Sequence, residues 1–293
     1  AALRKSGEDT VIFAHVGGRY ANIEIGHDAA LETAVEIHSD WGTFEWMATD
    51  SFRLGRRIGI VANSDGHKGR PGASYPGSSD FGAYGGLTCF LARENSRTAL
   101  FEAMRARHHY ATTGCRMYLD VTAAGKDGAV MMGDITTPPA AGVPVQVTAH
   151  AGSGIEKIEL RNGPDVVETI RTYDETDLGH RVRIIWSGAE YRGRGRNTSW
   201  RGVIDVDGAS ILSTRPLNQW NPERLLEQRG RSQVAFENVT TGNFAGIDLW
   251  LDTLDATVSV RTNLGELSVT ASDLGTDPVH LDCGGLARCL TII

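Results

Sequence analysis

The sequence predicts an α/β portion over residues 1–117 followed by an all-β, sandwich-like portion over residues 118–293. Three observations predict it. Between residues 11 and 115, short apolar and β-branched runs alternate with helical stretches, the pattern of repeated β-α units. After Met117 the helical period fades, and short alternating segments recur between Gly, Asn, Asp and Pro turns. The length of 293 residues suits two domains.

Taken in order, residues 10–14 (TVIFA) read as a first strand and residues 30–34 as a helical turn. Residues 35–38 (VEIH) form the next strand, and residues 51–57 the end of a helix. Gly59 opens the strand 60–63 (IVAN), and residues 66–86 form a long loop rich in Gly, Ser and Pro. Residues 87–92 (LTCFLA) are a further strand. Asn95 or Ser96 caps a helix running to Arg107, with Leu100, Phe101 and Met104 on one face. A last strand starts at His109. Beyond it, strands are expected over 118–123, 143–149, 155–161, 181–186, 203–206, 232–238, 246–251, 257–262 and 267–271.

Composition excludes several classes. Hydrophobic residues are 41% and charged residues 22%, the balance of a globular chain. The net charge of -7 argues against general nucleic-acid binding, which needs clustered Lys and Arg. No run reaches the roughly 18 apolar residues of a membrane span. The opening AALRKSGEDT lacks the apolar core of a signal peptide. The compartment is left open between cytoplasm and periplasm. The four cysteines, Cys89, Cys115, Cys283 and Cys289, form no C-x-x-C pair and are expected as isolated thiols, with a Cys283–Cys289 disulfide in an oxidising compartment as the alternative.

The chemistry lies in the first third. His15 follows the strand TVIFA, His38 ends VEIH, and Asp65 and His67 follow IVAN. Three successive strands thus carry imidazole or carboxylate at their C-terminal ends, where loops converge in β-α folds. Alternation along an extended segment puts Asp65 and His67 on one face, and Glu36 and His38 likewise. Neutral imidazole with carboxylate suits divalent zinc, manganese or iron without choosing among them. Each ligating imidazole needs an acceptor for its other nitrogen, and Glu36 and Asn63 are candidates.

The stretches VEIHSDWGTFEW, GIVANSDGHKGRPG and GGLTCFLARENSRTALFEAMRARHHYATTG resemble the C-terminal half of polymerase-and-histidinol-phosphatase (PHP) domains, in the branch termed domain of unknown function 3604. The S-D-x-H motif at residues 64–67 is the most specific piece. The resemblance implies the C-terminal half of a distorted (βα)7 barrel that holds two or three metal ions when complete. It implies a metal-dependent hydrolase, a phosphoesterase using metal-activated water on a small phosphorylated substrate. Carried over, the metal ligands are His15, His38, Asp65 and His67, with Glu45 the alternative to His38; Asp65 or His67 also manages a proton. The family opens with an H-x-H strand that this chain lacks, so the resemblance implies completion by a missing N-terminal barrel segment or an oligomer partner, and little turnover by the fragment alone.

Arg19 and Arg70 are the candidate substrate-binding residues, Arg19 because a guanidinium just past a ligand suits a phosphate, and Arg70 because it opens the long loop with Lys68. His108 and His109 read as complements to a helix C-terminus. Residues 181–201 hold six Arg with Trp186, Tyr191 and Trp200 interleaved, read as side chains covering aromatics or pairing with acids from the barrel. The rival functional reading is a non-catalytic binding or structural protein whose β domain recognises carbohydrate or a protein partner. An amidohydrolase-like activity on carbon esters or amides is a third.

Overall fold

The computed structural model describes residues 5–15, 22–67, 69, 83–140, 142–193, 196–219 and 221–293. Its contacts divide the chain into two compact units. The first takes the described residues within 1–40, 44–74 and 85–169, and the second those within 41–43, 75–84 and 170–293. The expected boundary after residue 117 falls inside the first unit.

In the first unit, β1 (Ile12–Ala14) and β4 (Gly59–Ala62) flank β2 (Glu32–Ser39) in parallel. The expected helical turn at 30–34 is not there: β2 already begins at Glu32. Its alternating β-branched and small residues suit a buried central strand, and Ala34 and Val35 are each 2% exposed. The helix Glu45–Arg53 covers this sheet through Met47, Ala48 and Ser51. Between Glu36 and His38 the register slips, because Glu36 faces Val61 while His38 faces Ala62. Ile37 is thus the extra residue of a β-bulge, and the strict alternation that would give Glu36 and His38 a shared face does not hold.

Among the described residues, the C-terminal half of a (βα)7 barrel expected from the sequence is absent. Strand is the main regular structure of the described residues, most of it in antiparallel sheets, and β5 (Leu87–Phe90) and β6 (His109–Thr112) form an antiparallel pair of their own. The physical reason lies at the outer edge of β4. There the Ala62 N–H donates to Thr88 Oγ1 at 3.0 Å, and that hydroxyl donates back to the Ala62 carbonyl at 2.7 Å. His109 Nδ1 takes the Ile60 carbonyl at 3.1 Å. Side chains therefore satisfy the backbone groups that a further parallel strand would have used. Between β5 and β6 runs the helix Arg97–Ala106. Ser96 caps it by accepting from the Ala99 N–H at 3.2 Å, and Arg107 closes it in the left-handed conformation at φ 60°.

The first unit continues with an antiparallel sheet in the order β8 (Gly128–Met131), β7 (Tyr118–Gly125), β9 (Val145–His150). The hairpin β10 (Ile158–Asn162) and β11 (Asp165–Ile170) follows.

The second unit is β-rich, as expected. It includes the two-residue β3 (Gly42–Thr43), whose Thr43 N–H donates to the Thr241 carbonyl. One five-stranded sheet contains β14 (Ile211–Leu217), β17 (Phe244–Leu251), β12 (Arg181–Ala189), β21 (Leu286–Ile292) and β20 (Val279–Asp282), in that order. The other contains β15 (Leu226–Arg229), β16 (Gln233–Thr240), β13 (Thr198–Asp207), β18 (Thr257–Thr262) and β19 (Gly265–Thr270).

Alternate residues of both sheets build one apolar core, including Ile184, Trp186, Trp200, Phe236, Ile247 and Leu290. Trp186 stacks on Phe236 at 4.0 Å between ring centroids, and Trp200 Nε1 donates to Thr240 Oγ1 at 2.8 Å. Three arginines of the arginine-rich stretch are engaged within the second unit. Arg183 is clamped on Asp248 at 2.6 and 2.9 Å, Arg196 lies 4.2 Å over the Tyr191 ring, and Arg201 is 3.7 Å from Glu237. The partner acids belong to the second unit itself rather than to a barrel.

Candidate functional site

The site begins where the parallel strands end. Ala14 closes β1 and His15 follows, half exposed. Its Nδ1 lies 2.5 Å from Glu36 Oε2 on β2, and the other Glu36 oxygen accepts from Asn63 Nδ2 at 2.7 Å. Glu36 is thus the acceptor that orients the imidazole, as the sequence anticipates. Asn63 acts one step further out, as a donor to Glu36 rather than as an acceptor for a histidine. With Nδ1 fixed on Glu36, Nε2 of His15 is the nitrogen left for other contacts, and it stands 3.6 Å from Asp65 Oδ2.

Asp65 and His67 sit beyond β4 in backbone that is not extended. Both are left-handed, at φ 49° and φ 47°. Such conformations are uncommon outside Gly, although Asp and His tolerate them better than most residues. The alternation argument therefore does not explain why the two side chains meet. The turn does, bringing His67 Nε2 to 3.4 Å from Asp65 Oδ1. Asp65 is thereby flanked by two imidazole nitrogens, one toward each carboxylate oxygen. Its side chain is 12% exposed, against 59% for His67.

His38 is 3% exposed, beside Ala62 and Gly86. A Cβ added at Gly86 would stand 2.4 Å from Ala62 Cβ and 3.0 Å from His38 Cδ2, so only glycine lets the chain pass this close. Glu45, the alternative ligand, instead begins the helix Glu45–Arg53 with its side chain exposed. Arg19 and Arg70 lie outside the described residues, as does Lys68.

Sequence reasoning missed Asp40. It is 2% exposed, its N–H donates to the Ser64 carbonyl at 2.9 Å, and a Cβ at Gly66 would stand 2.9 Å from its Oδ2. A carboxylate two residues beyond His38 was the available signal. His108 and His109 also depart from the dipole reading. His108 Nε2 meets Asp134 Oδ1 at 2.8 Å, and His109 is buried against β4. The His108 hydrogen bond, with a second from the Met131 N–H, holds the Asp134 carboxyl below its usual range.

The donor chemistry of His15, Asp65 and His67 fits a divalent ion: neutral imidazoles, a carboxylate, and an outer carboxylate on one ring. Among the described residues, no group of three or more His, Cys, Asp or Glu is drawn together tightly enough to hold an ion. The geometry agrees with that, since the two imidazoles address different oxygens of Asp65. All four cysteines are free thiols, and no helix among the described residues is long and apolar enough to cross a membrane.

No curated protein and no solved structure matches the chain. Residues 62–144 match the profile of a family described as protein of unknown function (DUF3604), a stretch that takes in Asp65 and His67 and begins after His15, Glu36 and His38.

Proposed function

We propose that this chain belongs to a metal-dependent hydrolase of phosphate esters, with His15, Asp65 and His67 as ligands. The observation that carries this reading is the pair of contacts about Asp65, 3.6 Å to His15 Nε2 and 3.4 Å to His67 Nε2. Both are long for hydrogen bonds. Two donors about 2.0–2.1 Å from one tetrahedral ion stand roughly 3.3–3.4 Å apart. Each contact therefore has about the length of a ligand-to-ligand edge, and because the two run to different oxygens of Asp65, the side chains must turn to meet one ion.

A divalent ion bound there lowers the pKa of water and polarises phosphoryl oxygens. The chain's own side chains do the rest. Glu36 fixes the ring plane of His15 and directs its Nε2 outward, and Asn63 holds Glu36 in turn. The PHP resemblance supports phosphorus rather than carbon as the centre attacked.

Calorimetric titration of the purified chain with Mn2+ and with Zn2+ tests the reading, followed by assays on p-nitrophenyl phosphate and p-nitrophenyl acetate. The expected result is ion binding that Asp65→Asn and His67→Ala remove, with the ion stimulating phosphate-ester cleavage over acetate. Absence of ion binding, or binding untouched by both substitutions, overturns it.

A further inference from the structure

The C-terminal hairpin of the second unit gathers a thiol, an imidazole, a hydroxyl and a carboxylate on one surface. In the register of β20 and β21, His280 opposes Thr291 and Asp282 opposes Cys289. Directly opposed residues of an antiparallel pair share a face, as do residues two apart. His280, Asp282, Cys289 and Thr291 therefore point the same way. Leu281, Cys283, Leu290 and Ile292 point the other way and pack at the sandwich core.

Within the outer group, Cys289 Sγ is 3.7 Å from His280 Nδ1 and 3.6 Å from Thr291 Oγ1. His280 Nδ1 is 2.8 Å from Thr291 Oγ1. We propose that Cys289 and His280 form a two-residue chelate for a thiophilic metal ion. A sulfur about 2.3 Å and a nitrogen about 2.0–2.1 Å from one tetrahedral ion are roughly 3.5–3.6 Å apart, close to the separation the hairpin already imposes. A thiolate and an imidazole select zinc-like, soft ions over magnesium or calcium, which prefer all-oxygen sites.

Cys283 and Cys115 are poorer candidates. Cys283 faces the core, where burial raises its thiol pKa. Cys115 is exposed, and its carbonyl accepts from Thr112 Oγ1 at 2.7 Å.

The inference is independent of the hydrolase reading, because His15, Asp65 and His67 include no sulfur. The test is Co2+ and Cd2+ titration of the full chain, reading the thiolate-to-metal charge-transfer absorption, which the hydrolase site cannot produce. The band is expected in the native chain and in Cys115→Ser. It is expected to vanish in Cys289→Ser, while His280→Gln weakens the ion's affinity by about 10-fold or more. Alkylation by iodoacetamide followed by peptide mass spectrometry gives a second readout without substitution, in which bound Cd2+ protects Cys289. No band, a band retained in Cys289→Ser, or protection that falls on Cys115 instead overturns the proposal.

Discussion

His15 Nδ1 and Glu36 Oε2 are 2.5 Å apart, joining the end of one parallel strand to the middle of the next. Asn63, just past the third strand, donates to the opposite oxygen of the same carboxylate. Glu36 therefore ties the ends of β1 and β4 to the middle of β2. If His15 is a ligand, Glu36→Gln should leave the fold intact and weaken divalent-ion affinity by about 10- to 100-fold, the usual cost of losing an outer carboxylate. Calorimetry with Mn2+ measures this, with circular dichroism as the check on folding. Unchanged affinity would remove His15 from the ligand set.

Gly86 gives a prediction about packing around His38. A methyl group there would meet Ala62 Cβ at 2.4 Å, a clash that side-chain rotation cannot relieve because both partners are short and buried. Gly86→Ala is expected to destabilise the first unit by about 1–3 kcal/mol, the common cost of overpacking. Urea denaturation measures it. Gly55→Ala is the control for the first unit: Gly55 sits at φ 70° with open space about its Cβ, so its cost comes from backbone strain alone.

How much of this was legible in the sequence differs from residue to residue. His15, Asp65 and His67 were legible because each stands within a few residues of a strand end, and strand ends announce themselves locally. Glu36 as the partner of His15 was legible for the same reason. The course of the sheet beyond β4 was not. A strand, a helix and a strand read as a parallel crossover, yet β5 and β6 run antiparallel. What decides it is the use of Thr88 and His109 side chains on the backbone of Ala62 and Ile60, and no local pattern marks a threonine for that purpose. The bulge at Ile37 is equally silent, because an inserted residue looks like any other apolar residue in a strand. Asp40 was passed over because its burial depends on the turn at 64–66, which is remote in sequence.

His109 ties this architecture to pH. It is 5% exposed, with Nδ1 on the Ile60 carbonyl and no hydrogen-bond partner for Nε2 among the described residues. Burial lowers its pKa below 6.5. The charges of Arg107 and His108 act in the same direction, while the Ile60 hydrogen bond opposes. The folded chain therefore resists a proton that the unfolded chain accepts. The stability contribution is complete above the unfolded value near 6.5 and is lost as pH falls from there toward the folded value. Urea midpoints at about pH 7.5 and about pH 5.5 should show a larger fall for the native chain than for His109→Gln, whose amide takes no proton in this range. Equal falls in the two proteins would refute the assignment.

In the second unit, the Arg183–Asp248 pair allows a sharper test, because its two members differ so much in exposure. Asp248 is 1% exposed on its side chain and Arg183 is 17% exposed. The guanidinium meets both carboxylate oxygens, at 2.6 and 2.9 Å, so the pair is bidentate. Removing the arginine strands a buried negative charge, and Arg183→Met should cost about 3–5 kcal/mol. Removing both charges strands nothing, so Arg183→Met with Asp248→Leu should recover most of that loss. Denaturant unfolding of the two single variants and the double variant closes the cycle. A double variant as unstable as the sum of the singles would mean that the two residues act separately, and that Asp248 is held by something other than the Arg183 guanidinium.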